Sequence, residues 1–137
     1  MVVDPNWVLS VYNLGAGTVF GLIGLGFAWK RDENYRQGRS MSWFVECGND
    51  IFGQLSIQHL YAAAYPLIKT LGIDVSPLFL LTSAYGSQMI IETCQGLKKL
   101  GIEIPIISRG TFDWGDCAAF TVAYLGSMVT TLPFLYR

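Results

Sequence analysis

Five polar residues in the last third of the chain have the types and spacing to act together. Glu92 and Gln95 form a Glu-x-x-Gln pair, one turn apart on a helix and so on one face. Arg109 is followed by Asp113 and Asp116, which share a face in the same way if a helix begins there. Carboxylates at a helix N-terminus are stabilised by its free N–H groups and dipole. A guanidinium can hold one or two of them in its planar fork. The group therefore has three readings: a clamp between two helices, a binding site for an anionic or polyol-type headgroup, and acid–base chemistry. As a catalytic set it is incomplete, because it has no nucleophile–base pair and His59 is the only histidine. No catalytic residue is expected.

Two further stripes of polar residues have helical spacing. Gln54, Gln58, Tyr61 and Tyr65 form one, and Gln88, Glu92, Gln95 and Lys99 the other. His59 lies one residue off the first stripe, as a neutral imidazole bonded to a neighbour or as a proton relay. The cysteines Cys47, Cys94 and Cys117 are odd in number and widely spaced, which gives neither a disulfide framework nor a Cys-x-x-Cys metal motif. No cofactor and no metal are expected.

The elements that must position these residues are set by four uncharged stretches: Asn6–Trp29, Ile51–Ile68, Val75–Ile91 and Cys117–Tyr136. Each is about long enough to cross a hydrocarbon core of ~30 Å as a helix at ~1.5 Å per residue. Charged residues are 14% of the chain and hydrophobic ones 52%, whereas soluble domains carry roughly 25% charge. The alternative is a soluble all-helical protein with deeply buried helices, but four such helices would lack the polar face that soluble helices carry. The expected fold is all-α: an integral membrane bundle of four transmembrane helices, forming a single domain over residues 1–137. The first stretch has no basic segment before it and no small-residue cleavage pattern after it, so it reads as a retained span. Inside lipid, polar side chains must pair or face water, so the two stripes are expected to face the bundle interior. There they would bond between helices or line a polar pocket.

Lys and Arg number seven in the segments Lys30–Asn49 and Glu92–Asp116, against Lys69 and Arg137 elsewhere. This bias places both long connections inside and both termini outside. Trp7, Trp29, Trp43 and Trp114 all fall at the expected boundaries, where indole is stable. The short link Lys69–Asp74 makes the second and third spans an antiparallel hairpin, with Pro66 and Pro77 limiting the helices. Gly17, Gly21 and Gly24 share one side of the first span and are expected to lie against another helix at close range. The net charge of −1 and the absence of a basic patch exclude nucleic acid as a partner. The expected partners are membrane lipids and other transmembrane helices, in a homo-oligomer or a larger complex.

The segment from Glu92-x-x-Gln95 through Arg109, Asp113 and Asp116 into the last span resembles the VanZ-like family of small bacterial membrane proteins. That family carries Glu-x-x-Gln at the end of one span, then an Arg and two Asp three residues apart leading into the last. The chain departs from it at Phe120, where an Asn is common. The resemblance implies a non-catalytic envelope protein in a bacterial plasma membrane and names no reaction, since the family's link to teicoplanin resistance has no established route. Two alternatives stay open: an accessory transmembrane subunit of a respiratory or photosynthetic complex, and a minimal carrier or channel; the mitochondrial inner membrane is an alternative location.

Overall fold

In a computed structural model of the 137-residue chain, which describes residues 5–102 and 113–135, the described residues form five helices and no strand. They are α1 (Pro5–Arg36), α2 (Trp43–Ala63), α3 (Tyr65–Thr70), α4 (Pro77–Lys98) and α5 (Trp114–Leu135). The chain is thus all-helical. By length and composition, one helix among the described residues is apolar enough to cross a membrane, over Asn6–Arg36. In α2, polar side chains such as Gln54, Gln58 and His59 lie within the apolar run.

Helix α1 runs two turns beyond the uncharged stretch that ends at Trp29, so the segment from Lys30 is mostly helix. Lys30 pairs with Glu33 at 3.5 Å and Gln37 donates to Glu33 at 3.2 Å, and both are helical spacings. The helix stops at Gly38, whose φ of 62° is in the left-handed region. There Gly38 N–H donates to the Tyr35 carbonyl at 3.1 Å and Arg39 N–H to Asn34 at 3.0 Å, which closes the helix end.

The expected second span is broken at Ala64. Pro66 has no N–H to donate back to Ala62, so α2 ends and the short α3 begins with the proline in its first turn. Helix α4 starts with Pro77 at its first position. Ser76 caps it, accepting from Phe79 N–H at 3.1 Å.

Helix α2 is central and packs on α1, α4 and α5, while α4 also packs on α5. Gly17, Gly21 and Gly24 lie against α2. A Cβ at Gly17 would meet Leu60 Cγ and the Ser56 carbonyl at 3.1 Å, and one at Gly24 would meet Gly53 N at 3.2 Å. The close approach lets Ser56 Oγ donate to the Gly17 carbonyl at 2.7 Å. The apolar core joins Cys47, Ile51 and Leu55 of α2 to Ala119 and Ala123 of α5, with Phe20 and Phe52 against it. Helices α4 and α5 are joined by the stacked rings of Tyr85 and Tyr124, 4.6 Å between centroids. Hydroxyl contacts flank that pair, Tyr85 with Thr121 at 3.1 Å and Thr82 with Tyr124 at 2.9 Å.

Candidate functional site

Two polar regions lie in this bundle. The first is its interior. Asn13, Gln58, His59, Ser127 and Thr131 have no exposed surface. Asn13 of α1 sits 2.6 Å from His59 Nδ1 with its Oδ1, and its amide donates to the Leu9 carbonyl at 2.8 Å. Because Oδ1 can only accept, Nδ1 carries the hydrogen. Thr130 of α5 lies 3.0 Å from His59 Nε2, which in the neutral ring is free to accept the threonine hydroxyl. One imidazole thus ties α1, α2 and α5 together. Ser127 donates to Gln58 Oε1. The Nε2 groups of Gln54 and Gln58 and the Thr131 hydroxyl are buried without a hydrogen-bond partner among the described residues. Such groups ordinarily find water or another acceptor.

The second region is a cleft of about 580 Å³ where the end of α1, the start of α2 and the start of α5 meet. Among the described residues, its walls carry Asp32, Glu46, Asp50, Asp113 and Asp116 against one cation, Arg31, with Tyr35 and Trp43 beside them. Helical register explains the α2 wall: Glu46 and Asp50 precede Gln54 and Gln58 at intervals of four and continue the same stripe. On α5, Asp113 is the cap. Its Oδ1 accepts from Gly115 N–H at 2.7 Å, which fixes where the helix starts. Helix α4 contributes Glu92 from behind. This carboxylate is only 6% exposed and accepts the backbone N–H of Asp113, while its Oε2 has no hydrogen-bond partner among the described residues.

Crowding of these acids perturbs them. Burial, then the charges of Asp50, Glu92 and Asp113, push Asp116 up from the ordinary aspartate value of 3.8 to about 6, with Arg31 opposing. Burial also raises Asp50 and Glu92. The Cys47 thiol is pushed up to about 11, by burial first and then by Asp116 and Asp50, so it is inert as a nucleophile at neutral pH.

A raised carboxyl binds its proton more tightly in the folded protein than in the unfolded chain. Its contribution therefore erodes stability as pH rises from 3.8 through about 6. The melting temperature is expected to rise by roughly a few degrees as pH falls from 7.5 to 5.5. Asp116→Asn should flatten that slope and raise stability at pH 7.5. Thermal melts at several pH values check this, and an Asn variant that melts lower at pH 7.5 would overturn it.

The structure brings Glu92, Asp113 and Asp116 together, with α4 joined to α5 through the Glu92–Asp113 bond. Arg109 lies outside the described residues, so its place in the clamp does too. Gln95 is half-buried on α4, as is Gln88. Gln54 and Gln58 point into the bundle, whereas Tyr61 faces outward and is 46% exposed. Sequence reasoning missed the cleft's other acids, Asp32 of α1 and the α2 pair Asp50 and Glu46. The α2 pair's continuation of the Gln54–Gln58 stripe was the signal that could have found it. It also missed Asn13 and Thr130, which have no local signature. Among the described residues, no three His, Cys, Asp or Glu side chains converge to hold a metal ion. No family model matches the chain, and neither a curated protein nor a solved structure matches it.

Proposed function

We propose that this chain is a small, non-catalytic integral membrane protein of four spans, resembling the VanZ-like envelope proteins, with α1, α2, α4 and α5 as the spans. One observation carries the reading: beside the apolar core, polar side chains are fully buried, while large apolar ones stand on the outside of the bundle. Asn13, Gln58, His59, Ser127 and Thr131 are fully buried, while Val11, Leu25 and Val129 are 69%, 67% and 72% exposed. In water this arrangement is unfavourable on both sides, since apolar surface is wetted and polar groups are desolvated. In lipid it is the favourable one, because the outer face meets hydrocarbon and the polar groups pair inside. The acidic cleft then lies at the inner boundary, the side assigned to the Lys- and Arg-rich connections.

A second reading, an accessory subunit of a larger membrane complex, is favoured by the outer face of α1. There Gly15 and Gly26 have no neighbouring chain within 4 Å of a built Cβ, and Leu22 and Leu25 are exposed beside them. Purification in mild detergent separates the two. A self-sufficient envelope protein elutes as a single species without stoichiometric partners. Comigration with a fixed set of other membrane chains would replace that reading with the subunit one.

A further inference from the structure

The contact between α2 and α5 repeats every turn, and its polar groups are paired one turn out of step. The two helices run parallel, because Gln58 meets Ser127 and His59 meets Thr130, while a Cβ at Gly115 would stand 3.5 Å from both Cys47 Sγ and Trp43 Nε1. Helix α5 turns Ala119, Ala123, Ser127 and Thr131 inward, each four residues after the last and none with exposed surface. Helix α2 turns Gln54 and Gln58 inward at the same interval, 2% and 0% exposed. Ser127 donates to Gln58. One turn nearer the cleft, Gln54 Nε2 has no hydrogen-bond partner among the described residues, and one turn the other way the Thr131 hydroxyl has none either. The unpartnered groups are thus the two ends of a ladder whose middle rung alone is made.

A shift of α5 by one turn, ~5.4 Å, towards the cleft sets Ser127 against Gln54 and Thr131 against Gln58. A shift the other way sets Ser127 against Ala62 and pairs neither orphan. The register seen here has its own support: Thr130 lies 3.0 Å from His59 Nε2, and Leu55 fits beside Gly126, where a Cβ would meet it at 3.4 Å. Moving inward gives up the His59 bond and brings Thr130 against Leu55, but the Thr130 hydroxyl keeps the Gly126 and Ser127 carbonyls of its own helix. Each register therefore makes two bonds between these faces, Gln58–Ser127 with His59–Thr130 or Gln54–Ser127 with Gln58–Thr131. Ala119 and Ala123 present the same small surface in both. Packed helices with two such arrangements move between them by whole turns.

We propose that α5 slides one turn along α2 towards the cleft, between the register seen here and one in which Ser127 bonds Gln54 and Thr131 bonds Gln58. Helix α4 travels with it, since the stacked Tyr85 and Tyr124 and their hydroxyl contacts join the two. The link between α3 and α4, outside any helix from Gly72 to Ser76, takes up the movement. The slide carries Asp116 one turn further from Asp50 and so couples the bundle interior to the shape of the cleft. It needs only the contact of α2 with α5, so its failure leaves the four-span reading standing.

Oxidative cross-linking tests it, in the full chain with Cys47, Cys94 and Cys117 replaced by Ala. A disulfide forms only where Cα atoms come within roughly 7 Å. Gln58→Cys/Ser127→Cys reports the register seen here and should cross-link fastest. Gln54→Cys/Ser127→Cys and Ala62→Cys/Ser127→Cys each need a shift of one turn, in opposite directions. The first is expected to cross-link roughly tenfold faster than the second, because only the inward shift is bonded. Equal rates for the Gln54 and Ala62 pairs would overturn the proposal. Should the cysteine pairs fail to fold, His59, the only histidine, is read instead by imidazole nitrogen NMR on the parent chain. Its Nε2 signal is expected to exchange between bonded and unbonded states, and Gln54→Leu/Thr131→Val, which removes both bonds gained on sliding, should abolish the exchange. A signal without exchange, or exchange that survives this double substitution, would equally sink the idea.

Discussion

Gly24→Leu is expected to lower the melting temperature far more than Gly26→Leu, although the two glycines are two residues apart in α1. At Gly24 a new Cβ would meet backbone of α2: Gly53 N at 3.2 Å, the Phe52 carbonyl carbon at 3.5 Å and the Asn49 carbonyl oxygen at 3.6 Å. Backbone cannot rotate away as a side chain can, so the two helices must separate. Overpacking of this kind costs about 1–3 kcal/mol, and here it would also loosen the Ser56–Gly17 hydrogen bond seven residues back along α1. At Gly26 a Cβ meets nothing within 4 Å. Gly21→Leu should fall between them, since its nearest obstacle is the Ser56 hydroxyl at 3.0 Å, which can turn. Cys47, Cys94 and Cys117 are buried free thiols, so a thiol-reactive fluorophore reports the melt directly. Equal melting temperatures for the Gly24 and Gly26 variants would show that α1 does not meet α2 on this face.

Loss of Asn13 should destabilise the protein through His59, and the two effects should not add. Asn13→Ala strips the acceptor from Nδ1–H, leaving a buried donor unsatisfied at a cost of about 1–3 kcal/mol. His59→Leu removes both ring nitrogens and leaves Asn13 Oδ1 without its partner, whereas the Thr130 hydroxyl keeps the Gly126 and Ser127 carbonyls of its own helix. Once one member is gone, removing the other costs little. Interhelical hydrogen bonds in membrane proteins couple by about 0.6 kcal/mol on average and up to about 1.7. A bond between two fully buried groups belongs near the top of that range. A double-mutant cycle on thermal or denaturant stability measures the coupling. Additive effects would mean that Asn13 and His59 do not hold each other.

Parts of this arrangement are legible in the sequence and parts are not, for physical reasons. The spacing of Gly17, Gly21 and Gly24 reads as a contact face because small residues at these intervals share one side of a helix. That the face meets Ser56 and Gly53 is a tertiary fact with no local trace. The short link between Lys69 and Asp74 makes the hairpin readable, but the break at Ala64 depends on a missing N–H at Pro66, two residues further on. Asn13 looks like an ordinary polar residue in an apolar helix. Its role appears only when α1 and α2 come together, because His59 is 46 residues away. The cleft was half legible: Asp113 and Asp116 announce themselves before a helix start. Glu46 sits in a segment, Lys30–Asn49, whose mixed charges read as a connecting loop, and Asp50 directly follows it; they become a wall only once α2 is seen to begin at Trp43.

The central claim is that the exposed apolar surface faces lipid and that four helices cross it. Single cysteines placed in a background without Cys47, Cys94 and Cys117 test it most directly. Trp7→Cys and Asp74→Cys mark one end of the bundle, and Gln37→Cys and Leu100→Cys mark the other; all four positions are exposed. In sealed cells, a membrane-impermeant maleimide is expected to label the first two, and the second two only after permeabilisation. Labelling of all four from one side, or recovery of the chain in the soluble fraction after an alkaline carbonate wash, would contradict the account.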